Sequence, residues 1–395
     1  MRPFNPLTRR ALIAGAGTAG LALFGAPARS QGDGFRTIRV RDSGYDGTVP
    51  GPVLRVRRGE EVKVRLVNES ADETAIHWHG VRVPNAMDGT PLTQQPVAPG
   101  ASFDYRFTPP DAGTFWYHPP IRTPQNRGLY GLLIVDEVKP ADVDRDLALV
   151  LDASSTGFTA NGIANLDIPV TTNERVRIRL VNAADRFITL RLDRHPVAVM
   201  AIDGQPAEPF GARDSRVTFS PGNRADLFFD AVLEPGSLAP LVVQDDAADA
   251  PLARLVYAQS VFARPQPRGA AAPLAANALP ERIELRGARR FDFALDAIAG
   301  DLPARPQFTV PRGRTVVLAL VNRATAPQVL HIHGHHVRLL DALDDGWKPF
   351  WLDTILCMPK QTTRVAFVAD NLGKWLLHAR AVGADGRTLA WFEVT

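Results

Sequence analysis

The sequence predicts an all-β protein of three consecutive β-sandwiches, and three observations carry that prediction. Runs rich in Val, Leu, Ile, Phe and Arg alternate with Pro, Gly, Asn and Asp turns, and no long stretch holds a helical period. The 33 Pro and 31 Gly suit many short strands joined by turns. One frame of strand, turn and spaced aromatic residues recurs three times along the chain.

The N-terminus reads as an address. Thr8-Arg9-Arg10-Ala11-Leu12-Ile13 is a twin-arginine pattern, followed by a small-residue apolar stretch from Ala11 to Phe24 and an Ala26-Pro27-Ala28 cleavage site. The apolar stretch is short of the roughly 20 residues that span a bilayer, and no later stretch is long enough. The expectation is a signal peptide over 1–28, export of the folded protein to the periplasm, and no stable membrane insertion of the mature chain.

The first copy begins with the run from Arg58 to Val67, which Asn68 closes nine residues before His77-Trp78-His79-Gly80. Further on, Pro99 precedes Phe107 by eight residues, and Phe107 precedes His118 by eleven, inside Gly113-Thr114-Phe115-Trp116-Tyr117-His118. The last copy repeats each interval: Arg312 to Val321, then Asn322, then His331-Ile332-His333-Gly334. Pro359, Phe367 and His378 follow in the same spacing, the last inside Gly373-Lys374-Trp375-Leu376-Leu377-His378. The middle copy keeps the frame without the histidines. Nine residues after Asn182 stand Arg191-Leu192-Asp193, and Pro240 takes the place of the late histidine, so this copy reads as structural.

Boundaries follow at 29–140, 141–265 and 281–395, with a Pro/Ala-rich linker over 266–280. Each copy then has about 120 residues, a usual size for one sandwich. On a strand, residues two apart point to one face, so both His of a pair aim the same way, roughly 6–7 Å apart. A metal–nitrogen bond is about 2 Å, so each pair suits two neighbouring ions better than one. A net charge of +3 with no dense basic run gives no sign of nucleic-acid binding. The lone Cys357 cannot form an internal disulfide.

These segments resemble the multicopper oxidases, the laccase-like family of three cupredoxin domains, each a Greek-key β-sandwich. Tyr45-Asp46-Gly47-Thr48-Val49-Pro50-Gly51-Pro52, Asp88-Gly89-Thr90-Pro91, Gly128-Leu129-Tyr130-Gly131 and Asp203-Gly204 fall in the family's order, so the resemblance covers the whole mature chain. It implies copper as cofactor and a three-copper cluster where the first and third domains meet. Carried over by position, His77 and His331 match ligands of the single cluster copper. His79 and His118 match ligands of one copper of the coupled pair, and His333 and His378 match ligands of the other.

Two cluster positions are substituted. Pro120 and Arg380 stand where the family has His; Pro has no side-chain donor and Arg no lone pair to give, and a guanidinium there repels cations. The resemblance also places a blue, type 1 copper in the third domain, for which the set His₂Cys with an axial Met is expected. Its positions read Gln328, Ala379, Ala384 and Leu389 here. Cys357 lies on the wrong strand and reads as a buried small hydrophobe. His335 and His336 read as framework or rim residues, and His195 as remote from the site.

Two functions follow. One is a periplasmic copper-binding member with a reduced cluster, whose oxidoreductase activity, with dioxygen as acceptor, is at most atypical because no type 1 copper is expected. Its partners are copper ions and a small-molecule reductant. The other is a copper-free cupredoxin scaffold that binds an envelope protein, as cell-division scaffolds of this kind do. A monomer is expected, since one chain carries all three domains.

Overall fold

The computed structural model describes residues 34–123, 126, 128–154, 157–244, 248–260, 263–295, 302–340, 350–383 and 386–395. The signal-peptide segment and Ala384 lie outside these residues. The described chain is almost wholly β, with two single-turn 3₁₀ helices at Asn85–Met87 and Arg213–Ser215. No helix among the described residues is long and apolar enough to cross a membrane.

The strands form six sheets that pair face to face as three sandwiches. In the first, Val62–Asn68 lies in one sheet and His77–His79 in the other, antiparallel to Gly113–His118. In the third, Arg314–Asn322 and Gln328–Ile332 repeat that relation, the second pairing with Gly373–Ala381. Glu174–Asn182 and Ile188–Leu192 repeat it in the middle.

The recurring Asn makes this crossover. Asn68 Nδ2 donates to the Asp72 and Val97 carbonyls, both at 2.8 Å, while its Oδ1 accepts from the Ser70 amide at 3.0 Å. Asn182 bonds the Arg186 and Phe219 carbonyls and the Ala184 amide in the same way. Asn322 does so with Ala326, Cys357 and Ala324. A buried amide that satisfies three backbone groups fixes where the chain leaves one sheet for the next. In the first and third copies that geometry delivers the histidines.

One apolar cluster runs through the first and third sandwiches, from Ile38, Trp78 and Phe115 to Leu318, Trp375 and Phe392, so those two share a continuous core. The middle sandwich has its own core and docks on the first through Trp116, Leu132, Val150 and Val181. All nine residues of Glu174–Asn182 are buried. Val176, Ile178 and Leu180 fill the middle core, while the alternate residues Arg177 and Arg179 turn outward to carboxylates. Arg177 pairs with Glu137 at 2.8 Å and Asp226 at 2.5 Å, and Arg179 pairs with Asp146 at 2.7 Å.

Candidate functional site

Strand register gathers the histidines between the first and third sandwiches. His77 pairs with His118, and His331 with His378, so each couple shares one sheet face. Trp78, between the two His of the first pair, turns to the core against Tyr105, Phe107 and Tyr117. The two faces meet: His77 Nε2 lies 3.0 Å from His331 Nε2, and His79 Nδ1 lies 3.0 Å from His118 Nε2. The ring of His79 stacks on that of His331 at 3.6 Å. His77, His79 and His331 bring donor atoms within 4.8 Å of one another, as do His77, Asp88 and His333. Both members of the first pair therefore serve one group, because His79 leans onto His331 across the interface. His378 is half-buried at the edge of the cluster.

Hydrogen bonds fix which ring nitrogen carries the proton. His118 Nδ1 is 2.7 Å from the Pro119 carbonyl and His331 Nδ1 is 2.9 Å from the Asp353 carbonyl. A carbonyl only accepts, so Nδ1–H donates in both. His77 Nδ1 and His333 Nδ1 donate to the Asp88 carboxylate at 3.1 and 3.0 Å. His79 is reversed. Thr354 Oγ1 spends its hydrogen on Asp353 Oδ1 at 2.7 Å, so it accepts from His79 Nε2 at 2.8 Å. Every one of these rings is left with a lone pair aimed inward. His77 faces His331 and His79 faces His118 with lone pair against lone pair, and His333 Nε2 is buried with no partner among the described residues.

Two carboxylates organise this set. Asp88 orients His77 and His333; burial pushes its carboxyl up, but the two imidazoles hold it well below the usual carboxylate range. Asp353 is the second. Its Oδ1 lies 3.2 Å from His79 Nε2 and 3.5 Å from His331 Nδ1, and its Oδ2 lies 3.5 Å from His336 Nε2. Arg224 of the middle sandwich clamps Asp353 in a two-pronged pair at 2.7 and 2.5 Å. Asp203 accepts from the Asp353 and Thr354 amides at 3.2 Å. Arg224 holds the Asp353 carboxyl well below its ordinary range against burial. Burial and the neighbouring Asp353 push Asp203 up to about 6. Gly80, at φ +84°, makes room for the pair: a Cβ there would stand 2.2 Å from Arg224 Nη2 and 2.6 Å from Asp353 Oδ2. The middle copy thus supplies no imidazole, yet it is not structural alone, because its Arg224 and Asp203 hold the carboxylate behind two of the histidines.

The positions expected to depart from the family's ligand set have partners of their own. Arg380 shares a face with His378, and its Nη1 pairs with Asp185 of the middle sandwich at 2.5 Å, so its charge is shared with a carboxylate. Gln328 and Ala379 lie on the opposite, core-facing side of the sheet; Gln328 pairs with both Ala381 and Cys357. Leu389 does not join them. It pairs with His378 on the cluster side, and Thr388 is the residue across from Ala379, because the strand register advances by one relative to the expected axial position. Cys357 is fully buried and burial pushes its thiol up to about 12. His335 and His336 are buried, so neither lies on a rim. His335 sits among Phe367, Trp375 and Phe392. His195 bonds Tyr257 Oη at 2.5 Å within the middle sandwich.

Burial and neighbouring rings disfavour the charged form of five of these rings. Burial lowers His331 to about 4 and His333 and His378 to about 3, and places His79 and His118 well below the ordinary range. An unfolded histidine titrates near 6.5, so on acidification the unfolded chain takes up protons first. The stability these rings contribute is complete above that pH and is lost as pH falls toward 4 and 3. Unfolding midpoints of metal-free protein measured from pH 7 to 4 are expected to fall steeply below about pH 6.5, and a flat profile would contradict the burial of these rings.

Comparison with known proteins agrees with this architecture. Residues 37–140 and 277–381 each match a family model described as multicopper oxidase. Multicopper oxidase MmcO of Mycobacterium tuberculosis is 26% identical over 85% of this chain and 79% of its own length. Laccase-1 of Fomitopsis schrenkii is 26% identical over 84% and 79%. Among solved structures, the multi-copper oxidase from Pseudomonas thermotolerans superposes with a TM-score of 0.82 at 30% identity, covering 93% of this chain and all of that one. Lac15 from a marine microbial metagenome gives 0.79 at 31% identity, covering 91% and 99%. With the frame, the paired histidine motifs and these likenesses all in agreement, the chain belongs to the multicopper oxidase family.

Proposed function

We propose that this protein is a periplasmic copper-binding member of the family, with a reduced cluster between its first and third sandwiches and no type 1 copper. One observation carries the reading. Two pairs of imidazole nitrogens confront each other at 3.0 Å, and a further buried ring nitrogen, His333 Nε2, has no partner among the described residues. Such an arrangement is unfavourable unless a cation accepts those lone pairs, and imidazole nitrogen suits copper. His77, His79, His118, His331, His333 and His378 would hold the metal, with Asp88 and Asp353 fixing ring orientation from behind.

Bound copper would supply one-electron chemistry and use dioxygen as acceptor. The chain's own part is to hold ring protons on the outward nitrogens and exclude water around His77 and His333. Gln328, Ala379 and Leu389 offer no thiolate or imidazole, so a reductant would deliver electrons directly at the cluster. The Arg380–Asp185 pair favours a second reading, a copper-free scaffold, since it occupies a ligand position with an ion pair of its own.

Copper loading separates the two. After exposure to copper(II) and desalting, purified mature protein is expected to retain two or more ions per chain. His77→Ala or His331→Ala should each remove at least one, with a changed spin-resonance spectrum. A stoichiometry near zero in the parent protein would assign it to the scaffold class.

A further inference from the structure

We propose that Tyr130 donates one electron to the histidine cluster through Trp116, with Asp152 taking its proton. The inference rests on the copper reading and on the lack of a type 1 copper. Reduction of dioxygen to water consumes four electrons, and a cluster of at most three coppers releases at most three in one-electron steps. The missing electron has to come from a side chain or from solution. Trp116 is an oxidisable side chain in contact with the site: its ring centroid lies 4.2 Å from that of His118 and 5.1 Å from that of His79. Trp116 pairs with Leu132, and Tyr130, two residues before Leu132, continues the same sheet face. Both rings belong to one buried cluster at the seam with the middle sandwich. The Arg122 guanidinium stands over both, 5.5 Å from the Trp116 ring and 5.9 Å from the Tyr130 ring.

Trp116 is a conduit and not a resting place. The guanidinium beside it disfavours a positive charge on the indole. Its buried Nε1 has no acceptor among the described residues to take a proton. Tyr130 differs: it is 1% exposed, and its Oη donates to Asp152 Oδ2 at 2.7 Å. Burial and Asp152 push the phenol above its ordinary range, so it stays protonated until it is oxidised. The oxidant is partly reduced dioxygen, one electron short of water. As the electron leaves toward Trp116, the proton crosses to the Asp152 carboxylate, and a neutral tyrosyl radical and a neutral acid remain. Asp152 is half-buried. An outside one-electron reductant, such as a diphenol, then returns the electron while Asp152 returns the proton. The other tyrosines of the outer sandwiches have no such base. Tyr117 donates to the Pro52 carbonyl, Tyr105 accepts from the Ile76 amide, and Tyr45 Oη is buried with no partner among the described residues.

Freeze-quench spin resonance tests this on mature protein loaded with copper, reduced, freed of excess reductant and mixed with dioxygen. A tyrosyl radical is expected in the first turnover, absent from Tyr130→Phe and kept in Tyr117→Phe. Asp152→Asn is expected to lower its yield about 10-fold, the weight of one charge-assisted contact, and Asp152→Glu to restore part of it. The metal-free chain gives a second readout: flash oxidation by a photogenerated ruthenium(III) complex should form the same radical, more slowly in deuterium oxide. Should Tyr130→Phe not fold, the loss in Asp152→Asn carries the test. Metal content, measured first, judges the copper reading on its own, and a stoichiometry near zero overturns both. With copper retained, absence of the radical from either sample, its persistence in Tyr130→Phe, or an equal yield in Asp152→Asn overturns the role of Tyr130 alone.

Discussion

Arg224→Leu is expected to destabilise the protein by about 3–5 kcal/mol, the usual penalty for stripping one partner from a buried ion pair. Arg224 and Asp353 are both fully buried, and Asp203 lies 3.6 Å from the same guanidinium. Removing the cation leaves two carboxylates confined together without compensation. The loss also propagates, because Asp353 Oδ1 accepts from Thr354, which orients His79, and its backbone carbonyl orients His331. Copper retention should therefore fall alongside stability. In the double variant with Asp353→Leu, the stability loss is expected to be smaller than the sum of the two single losses, since the stranded charge is gone. Denaturant unfolding monitored at its first transition measures this, and an Arg224→Leu change below about 1 kcal/mol would show that the pair does not hold the interface.

Pro120→His combined with Arg380→His is expected to raise copper occupancy by roughly one ion per chain, because each restores an imidazole to the open side of the paired positions. The exchange costs little in folding. Arg380 and Asp185 are partly exposed, and pairs at such sites contribute about 1 kcal/mol or less. Either substitution alone should give a smaller gain, with metal content per chain as the readout. No gain in the double variant would place Pro120 and Arg380 outside the cluster. Exported protein from a periplasmic preparation is the right material, since the export route is itself part of the proposal.

The fold, and the recurrence of the histidines along the chain, were legible because both rest on fixed spacing. Nine residues from Asn to His is the length of the crossover that the Asn amide closes, so the interval records a backbone requirement. The strand period puts both His of each pair on one face; that His331 and His378 face each other across strands is a matter of register, which the sequence does not show. Asp353 and Arg224 were not legible as site residues. Asp353 lies four residues before Cys357, and Arg224 opens a strand in the copy without histidines. Their roles arise from contact across more than a hundred residues, which no local pattern encodes. The axial position failed for a narrower reason: a one-residue difference in strand register moves a side chain to the other face, and that is what separates Leu389 from Thr388.

The thrice-repeated asparagine turn has a consequence for how such a protein changes over time. Its hydrogen bonds close in the middle copy, where no histidine is delivered, just as they do in the outer two. The scaffold is thus specified apart from whatever it carries. Donor groups on such a frame can be exchanged one at a time while the chain goes on folding, so the frame can outlast any one use of it.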